Sequence, residues 1–180
     1  MKIAGLVVTV VLASVGSAVA LGQPAGGYPP RLVRIVVPVA PGGTVDIITR
    51  TLAQRLTESL GQQVIVENRP SASSLVGTQW VAKSAPDGYT LLATSTTFLS
   101  APAIVPQPGY EDFTINGLLA PTGTPREILA RLHGEVAKIA GFPELHKRFL
   151  DQGIELAASS SPDEFTAYIK SEVARYAKLA

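Results

Sequence analysis

The sequence predicts an α/β domain with a mostly parallel sheet and helices on both faces. Three short Val- and Leu-rich runs, at 34–38, 63–67 and 90–94, have the length and apolarity of buried strands. Each is followed by a helical pattern or a polar loop, as a parallel sheet covered on both faces requires. The last third of the chain carries amphipathic helices with start signals.

Taken in order, Arg34-Ile35-Val36-Val37-Pro38 is the first strand, and Ile48, Leu52, Leu56 and Leu60 then recur every four residues up to a stop at Gly61. Gln63-Val64-Ile65-Val66-Glu67 is the second strand, ended by Asn68-Arg69-Pro70 and the serine-rich loop Ser71-Ala72-Ser73-Ser74, before a helix over 76–83. Pro86-Asp87-Gly88-Tyr89 is a turn into the third strand at 90–94. Thr124-Pro125-Arg126-Glu127 reads as a capping box, and Ile128, Leu129, Leu132, Val136 and Ile139 form one apolar stripe behind it. A shorter helix over 143–152 points Leu145, Phe149 and Leu150 inward and stops at Gly153; a strand is expected at 154–157. Ser161-Pro162-Asp163-Glu164 is a second capping box, opening a helix with Phe165, Tyr168, Ile169, Val173 and Tyr176 on one side.

The first twenty residues read as an export signal and stand outside the fold. Lys2 is followed by an apolar run over 3–15 and by Ala18-Val19-Ala20, which has the form of a signal-peptidase site, so cleavage is expected after Ala20. An uncleaved anchor is the alternative. Residues 21–30 are a Gly/Pro-rich flexible leader, and 31–180 hold one domain. The chain contains no Cys, which excludes disulfides, a lipidated cysteine, thiolate metal sites and Cys nucleophiles. With 46% hydrophobic and 16% charged residues the profile is globular, and a formal charge of +1 gives no electrostatic reason to expect nucleic acid.

The junction Ala40-Pro41-Gly42-Gly43-Thr44-Val45-Asp46 carries the chemistry. Two glycines between a strand and a helix let backbone N–H groups face a ligand at the positive end of the helix dipole, which suits a carboxylate or phosphate. Asp46 can satisfy the helix terminus, or orient an amine or water on the ligand. The plainer reading is a glycine-softened turn with Thr44 as cap. A nucleotide P-loop does not match, since no Lys follows the glycines and their spacing differs. Ligands of such sheets gather at the carboxyl ends of the strands, here 41–44, 68–74 and 95–97. An enzymatic constellation is hard to build. His133 and His146 lie on different helices among charged neighbours, and no nucleophile elbow, zinc motif or dinucleotide fingerprint occurs. No cofactor, metal or catalytic residue is expected, Asp46 with Glu67 has no supporting spacing, and Trp80 reads as packed.

Four motifs in series add a resemblance. Val36-Val37-Pro38-Val39-Ala40-Pro41-Gly42-Gly43 with Asp46, Val66-Glu67-Asn68-Arg69-Pro70, Pro86-Asp87-Gly88-Tyr89-Thr90-Leu91-Leu92, and Leu119-Ala120-Pro121-Thr122-Gly123-Thr124-Pro125 occur in this order. Together they resemble the periplasmic substrate-binding proteins of tripartite tricarboxylate transporters, the Bug or TctC-like family. The resemblance implies a type II periplasmic-binding-protein fold, in which two α/β lobes close like a Venus flytrap on a small carboxylate held by backbone N–H groups and water. It implies ligand contacts at Pro41, Gly42, Gly43 and Asp46, at Ser71, Ala72, Ser73 and Ser74, and at Ser95 and Thr96. It also implies a periplasmic location and the membrane subunits of the transporter as partners.

This chain departs from the family pattern in three ways. Ser71 and Ser74 replace glycines of a Gly-Ala-x-Gly loop, at about 1 kcal/mol each if those positions need positive φ. Val39 stands where the family is usually aromatic. Between Glu111-Asp112-Phe113 and Gly117-Leu118-Leu119 almost nothing remains where the family carries its second lobe. The expectation is therefore a single lobe built from 31–113 and 117–180, with weak or absent carboxylate binding and a tendency to self-associate. A non-binding remnant or a structural interaction protein, keeping only a folded lobe, is the alternative.

Overall fold

The computed structural model describes residues 27–71, 74–95, 116–151, 154, 156 and 158–177. Its elements run β1 (Val33–Val37), α1 (Thr44–Leu60), β2 (Val64–Asn68), α2 (Leu75–Ala82), β3 (Thr90–Ser95), β4 (Asn116–Leu119), α3 (Arg126–Ala140), α4 (Pro143–Leu150) and α5 (Pro162–Ala177). The sheet order is β2-β1-β3-β4. β1 lies parallel to β2, from Val33 opposite Val64 to Val37 opposite Asn68, and parallel to β3, with Arg34 opposite Thr90. β4 runs antiparallel to β3, pairing Leu92 with Leu119 and Ser95 with Asn116.

The alternation of strand side chains divides the core. Val33, Ile35 and Val37 face the same side as Leu91 and Ala93, and meet Ala53 and Leu56 of α1, Ile128, Leu132 and Ile139 of α3, and Leu145 and Phe149 of α4. Val36 and Leu92 face the other side, under Val81 and Trp80 of α2. A central strand buried on both faces needs a near-continuous apolar run, and β1 is Val-Arg-Ile-Val-Val, broken only by the half-buried Arg34, which pairs with Glu67. The α/β class, the mostly parallel sheet and the helices on both faces are those expected from the sequence.

Local differences have local causes. The buried stripe of α1 is Asp46, Thr49, Ala53 and Leu56, whereas Ile48, Leu52 and Leu60 are only half-buried. Small residues let the helix lie close on the sheet, and Thr49 satisfies its hydroxyl on the Val45 carbonyl at 2.6 Å. Gly43, not Thr44, is the N-cap of α1, while Gly61 ends it as expected in the left-handed region, φ +67°. The box at Thr124 does not form: its hydroxyl donates to the Pro121 carbonyl at 2.8 Å, inside a turn that Gly123 opens at φ +92°, and Pro125 becomes the N-cap of α3. At Ser161 half of the box forms: the Glu164 N–H donates to Ser161 Oγ at 3.1 Å, while the Glu164 carboxylate accepts from the N–H and hydroxyl of Ser160.

Leu150 is 60% exposed, not inward, while Leu145 and Phe149, four apart, fill the core side of α4. Ile154 and Leu156 are not in a strand, although both pack on the core; the Ile154 N–H returns to the Phe149 carbonyl at 2.9 Å instead of joining the sheet. Residues 155 and 157 of that expected strand lie outside the described residues, as do Gly153 and the 1–20 export segment. The end of the leader is tied down. Tyr28 packs on Tyr89 and donates its hydroxyl to the Gly88 carbonyl, in the turn expected at 86–89.

Candidate functional site

Parallel pairing puts the carboxyl ends of β1, β2 and β3 on one edge, and the antiparallel β4 begins there, since Ser95 and Asn116 are paired. The edge therefore gathers the 38–43 loop, the 69–74 loop and Ser95. Among the predicted contacts, Pro41, Gly42, Gly43, Asp46, Ser71, Ser74 and Ser95 are described; Ala72, Ser73 and Thr96 are not.

The first loop is the most developed. Pro41, Gly42, Gly43 and Thr44 are exposed. Gly42 stands at φ +89°, a conformation that L side chains rarely adopt, and a Cβ there would meet open space, so the need for glycine is conformational and not steric. Gly43 is extended at φ −76°, ψ 167°, and its carbonyl accepts the first bond of α1, from Ile47 N–H at 3.0 Å. The N–H groups of Gly43, Thr44 and Val45 belong to the open first turn of the helix and donate to no acceptor among the described residues.

Asp46 is turned away from this opening. It is 2% exposed, and its carboxylate accepts the Gly42 N–H at 2.9 Å and Arg50 Nε at 3.0 Å on Oδ2, and Asn68 Nδ2 at 2.8 Å on Oδ1. Asn68 Nδ2 also donates to the Val39 carbonyl at 3.1 Å, and Arg50 donates to Asn68 Oδ1 at 2.7 Å. Burial alone would raise the carboxyl pKa. The bonds from Arg50, the Gly42 amide and Asn68, with the Arg50 charge, outweigh it and hold the group at about 2. Asp46 thus braces the loop from a buried position, and the Gly42 amide is already taken. The amides of the junction left without an acceptor among the described residues are those of Gly43, Thr44 and Val45, not that of Gly42.

The second loop is built differently. Ser74 precedes α2 at φ +54°, where the family pattern has glycine. Ser71 is occupied in capping, its carbonyl accepting Ser74 N–H at 3.0 Å and its hydroxyl accepting Val76 N–H at 3.3 Å. Gly77 lets α2 approach closely, since a Cβ would stand 3.0 Å from the Arg69 carbonyl and 3.1 Å from Pro38 Cβ. At the third position, Ser95 closes β3 against Asn116.

Glu67 takes no part in a carboxylate pair with Asp46. It bonds Arg34 and Arg69, and the Arg69 guanidinium lies 3.9 Å over the Trp80 ring. His133 is half-buried with Nε2 2.8 Å from the Ser159 carbonyl. Among the described residues no group of three or more His, Cys, Asp or Glu could hold a metal, and no helix is long and apolar enough to cross a membrane. Sequence reasoning missed Asn68 and Arg50. The i,i+4 spacing of Asp46 and Arg50 was a usable signal; the reach to Asn68, twenty-two positions away, was not.

Residues 48–114 match the model of the "Tripartite tricarboxylate transporter family receptor", TctC. A UPF0065 protein of Bordetella pertussis is 41% identical over 105 residues, which is 58% of this chain and 32% of that protein. BugT of the same organism is 50% identical over 78 residues, 43% of this chain and 23% of BugT. Over these stretches the chain is similar to Bug/TctC proteins. It spans about a third or less of the length of the curated relatives it matches. The fold extends the likeness: the structure of MatC from Rhodopseudomonas palustris with bound malate superposes at a TM-score of 0.74 and 16% identity, drawing on 84% of this chain and reaching across 99% of that one. The family match ends at 114, next to the residue where the sequence placed the end of the amino-terminal segment.

Proposed function

We propose that this Bug/TctC relative is a solute-binding protein for small carboxylates, reduced to one lobe assembled from 31–113 and 117–180. In this reading residues 1–20 direct export and are removed after Ala20, and the lobe works in the periplasm beside a tripartite tricarboxylate-type transporter. The observation that carries the reading is the open first turn of α1. The amides of Gly43, Thr44 and Val45 sit at the positive end of a seventeen-residue helix, on the sheet edge where three parallel strands end. Malate in MatC, a neighbour of the same fold, has the matching chemistry.

One lobe supplies half of a closing cleft. The ligand stays open to water on the other side, and losing several kcal/mol of contacts costs orders of magnitude in affinity. Binding is therefore expected in the millimolar range. Calorimetric or thermal-shift titration of the purified chain with malate and citrate tests this, because a ligand that binds only the folded state raises its melting temperature by mass action. A saturable rise in millimolar malate or citrate supports capture. No shift with either leaves the second reading, a folded lobe without solute capture. That reading is favoured by the Gly42 amide and the Asp46 carboxylate being spent on each other.

A further inference from the structure

Asp46, Asn68 and Arg50 form a closed ring in which each bonds the other two: Arg50 Nε to Asp46 at 3.0 Å, Arg50 to Asn68 Oδ1 at 2.7 Å, and Asn68 Nδ2 to Asp46 at 2.8 Å. The ring touches both strand-to-helix loops of the edge. Through Gly42 N–H and the Val39 carbonyl it grips the first loop, and Asn68 is the last residue of β2, where the second loop begins. We propose that these three side chains are positioning residues of the carboxylate cradle, a role that rests on the solute-binding reading above. They fix the Gly42 turn so that the Gly43, Thr44 and Val45 amides point off the edge, and they neutralise the charge that a lone buried carboxylate would set beneath an incoming anion.

The physical argument has two parts. A glycine pair has more backbone states than any other dipeptide, so an unbraced loop would seldom present three amides together. A bond from the Gly42 amide to a nearly inaccessible carboxylate selects one of those states. The second part is charge. Asp46 lies in the first turn of α1, where an anion is stabilised by the helix but repels a second anion bound at the same terminus. Arg50, one turn further on, and the Asn68 amide offset that repulsion from inside. The ring therefore serves a function that a bare Gly-Gly turn does not.

Amide hydrogen exchange by NMR on the full chain, with malate titration by calorimetry, tests the proposal. Asn68→Ala removes two sides of the ring and keeps the Asp46–Arg50 pair; Asp46→Ala also removes two sides, keeps the Arg50–Asn68 bond, and takes away the acceptor of the Gly42 amide. The expected result is Gly42 amide exchange at least tenfold faster in both variants, with the Ile35 and Leu91 amides of the central strands unchanged, and malate affinity at least tenfold weaker. Arg50→Ala should weaken malate binding as well, and Arg50→Lys, which keeps the charge, should recover part of it. Unchanged Gly42 exchange in Asn68→Ala, or undiminished malate affinity in a folded variant, overturns the proposal. If the parent chain takes up no malate, the carboxylate reading fails for that ligand, and Gly42 exchange still decides whether the ring holds the turn.

Discussion

The two strand-to-helix loops on the carboxyl edge of the sheet do the same geometric job with opposite economies. After β1, the chain turns through a glycine at φ +89° and is locked by a buried carboxylate that reaches back to the Gly42 amide and across to Asn68. After β2, it turns through Ser74 at φ +54°, with Ser71 supplying caps and Arg69 held between Glu67 and the Trp80 ring, but with no buried carboxylate on a loop amide among the described residues. The first loop places a residue of free conformation where positive φ is needed and adds a specific lock. The second accepts a Cβ in the left-handed region, which costs about 1 kcal/mol. The two turns thus differ in how their backbone is held: one by a buried side chain, the other by local caps.

That contrast can be broken from the strong side first. Asp46→Ala leaves the Gly42 N–H and Asn68 Nδ2 without their buried acceptor and is expected to destabilise the chain by about 2 to 3 kcal/mol in urea unfolding. The corresponding change in the second loop, Ser71→Ala, should cost under about 1 kcal/mol, since only a cap is lost; equal effects would erase the distinction.

Acid sharpens it next. The Asp46 carboxyl is held at about 2, below its ordinary 3.8, so its contribution is fully present above pH 4 and is lost as pH falls towards 2. Stability curves between pH 5 and 2 should show a loss of about 2 kcal/mol that is missing from Asp46→Asn. Identical acid slopes in the two proteins would remove Asp46 as the responsible group. Smaller effects come from the turns themselves. Gly42→Ala forces a Cβ into φ +89° and should cost about 1 kcal/mol although space is free there. Ser74→Gly should move the other way, stabilising by about 0.5 kcal/mol after the greater freedom of glycine in the unfolded chain is subtracted. A destabilised Ser74→Gly protein would mean that the serine is not strained.

Much of this was legible in the residues. The strands are off by one position, because a run such as Val33-Arg34-Ile35-Val36-Val37 does not announce which residue pairs first, and Gly61 and Gly88 stop and turn the chain where expected. The resemblance also held, since its motifs mark turns that the fold needs. Less legible were the ends set by competition between acceptors. Thr124 could cap α3 or bond Pro121, and the Gly123 turn made the nearer carbonyl win. Leu150 could not be told from Phe149 by hydrophobicity; only the helix rotation fixed by Leu145 turns one in and the other out. The role of Asp46 stayed open between two readings for a similar reason. A carboxylate in a first helical turn is equally consistent with facing a ligand or facing the sheet.

By itself the chain determined its alternation of strands and helices, its glycine turns and its kinship, because periodicity and backbone freedom are local properties that each segment carries wherever it is placed. Which groups would satisfy one another was decided only in three dimensions. Asn68 meets Asp46 because β2 lies parallel to β1 with Asn68 opposite Val37, and that register is a cooperative outcome of packing the whole sheet. Beside that contact, the Gly42 amide goes to Asp46 within its own turn, and the next three amides are left without an acceptor among the described residues.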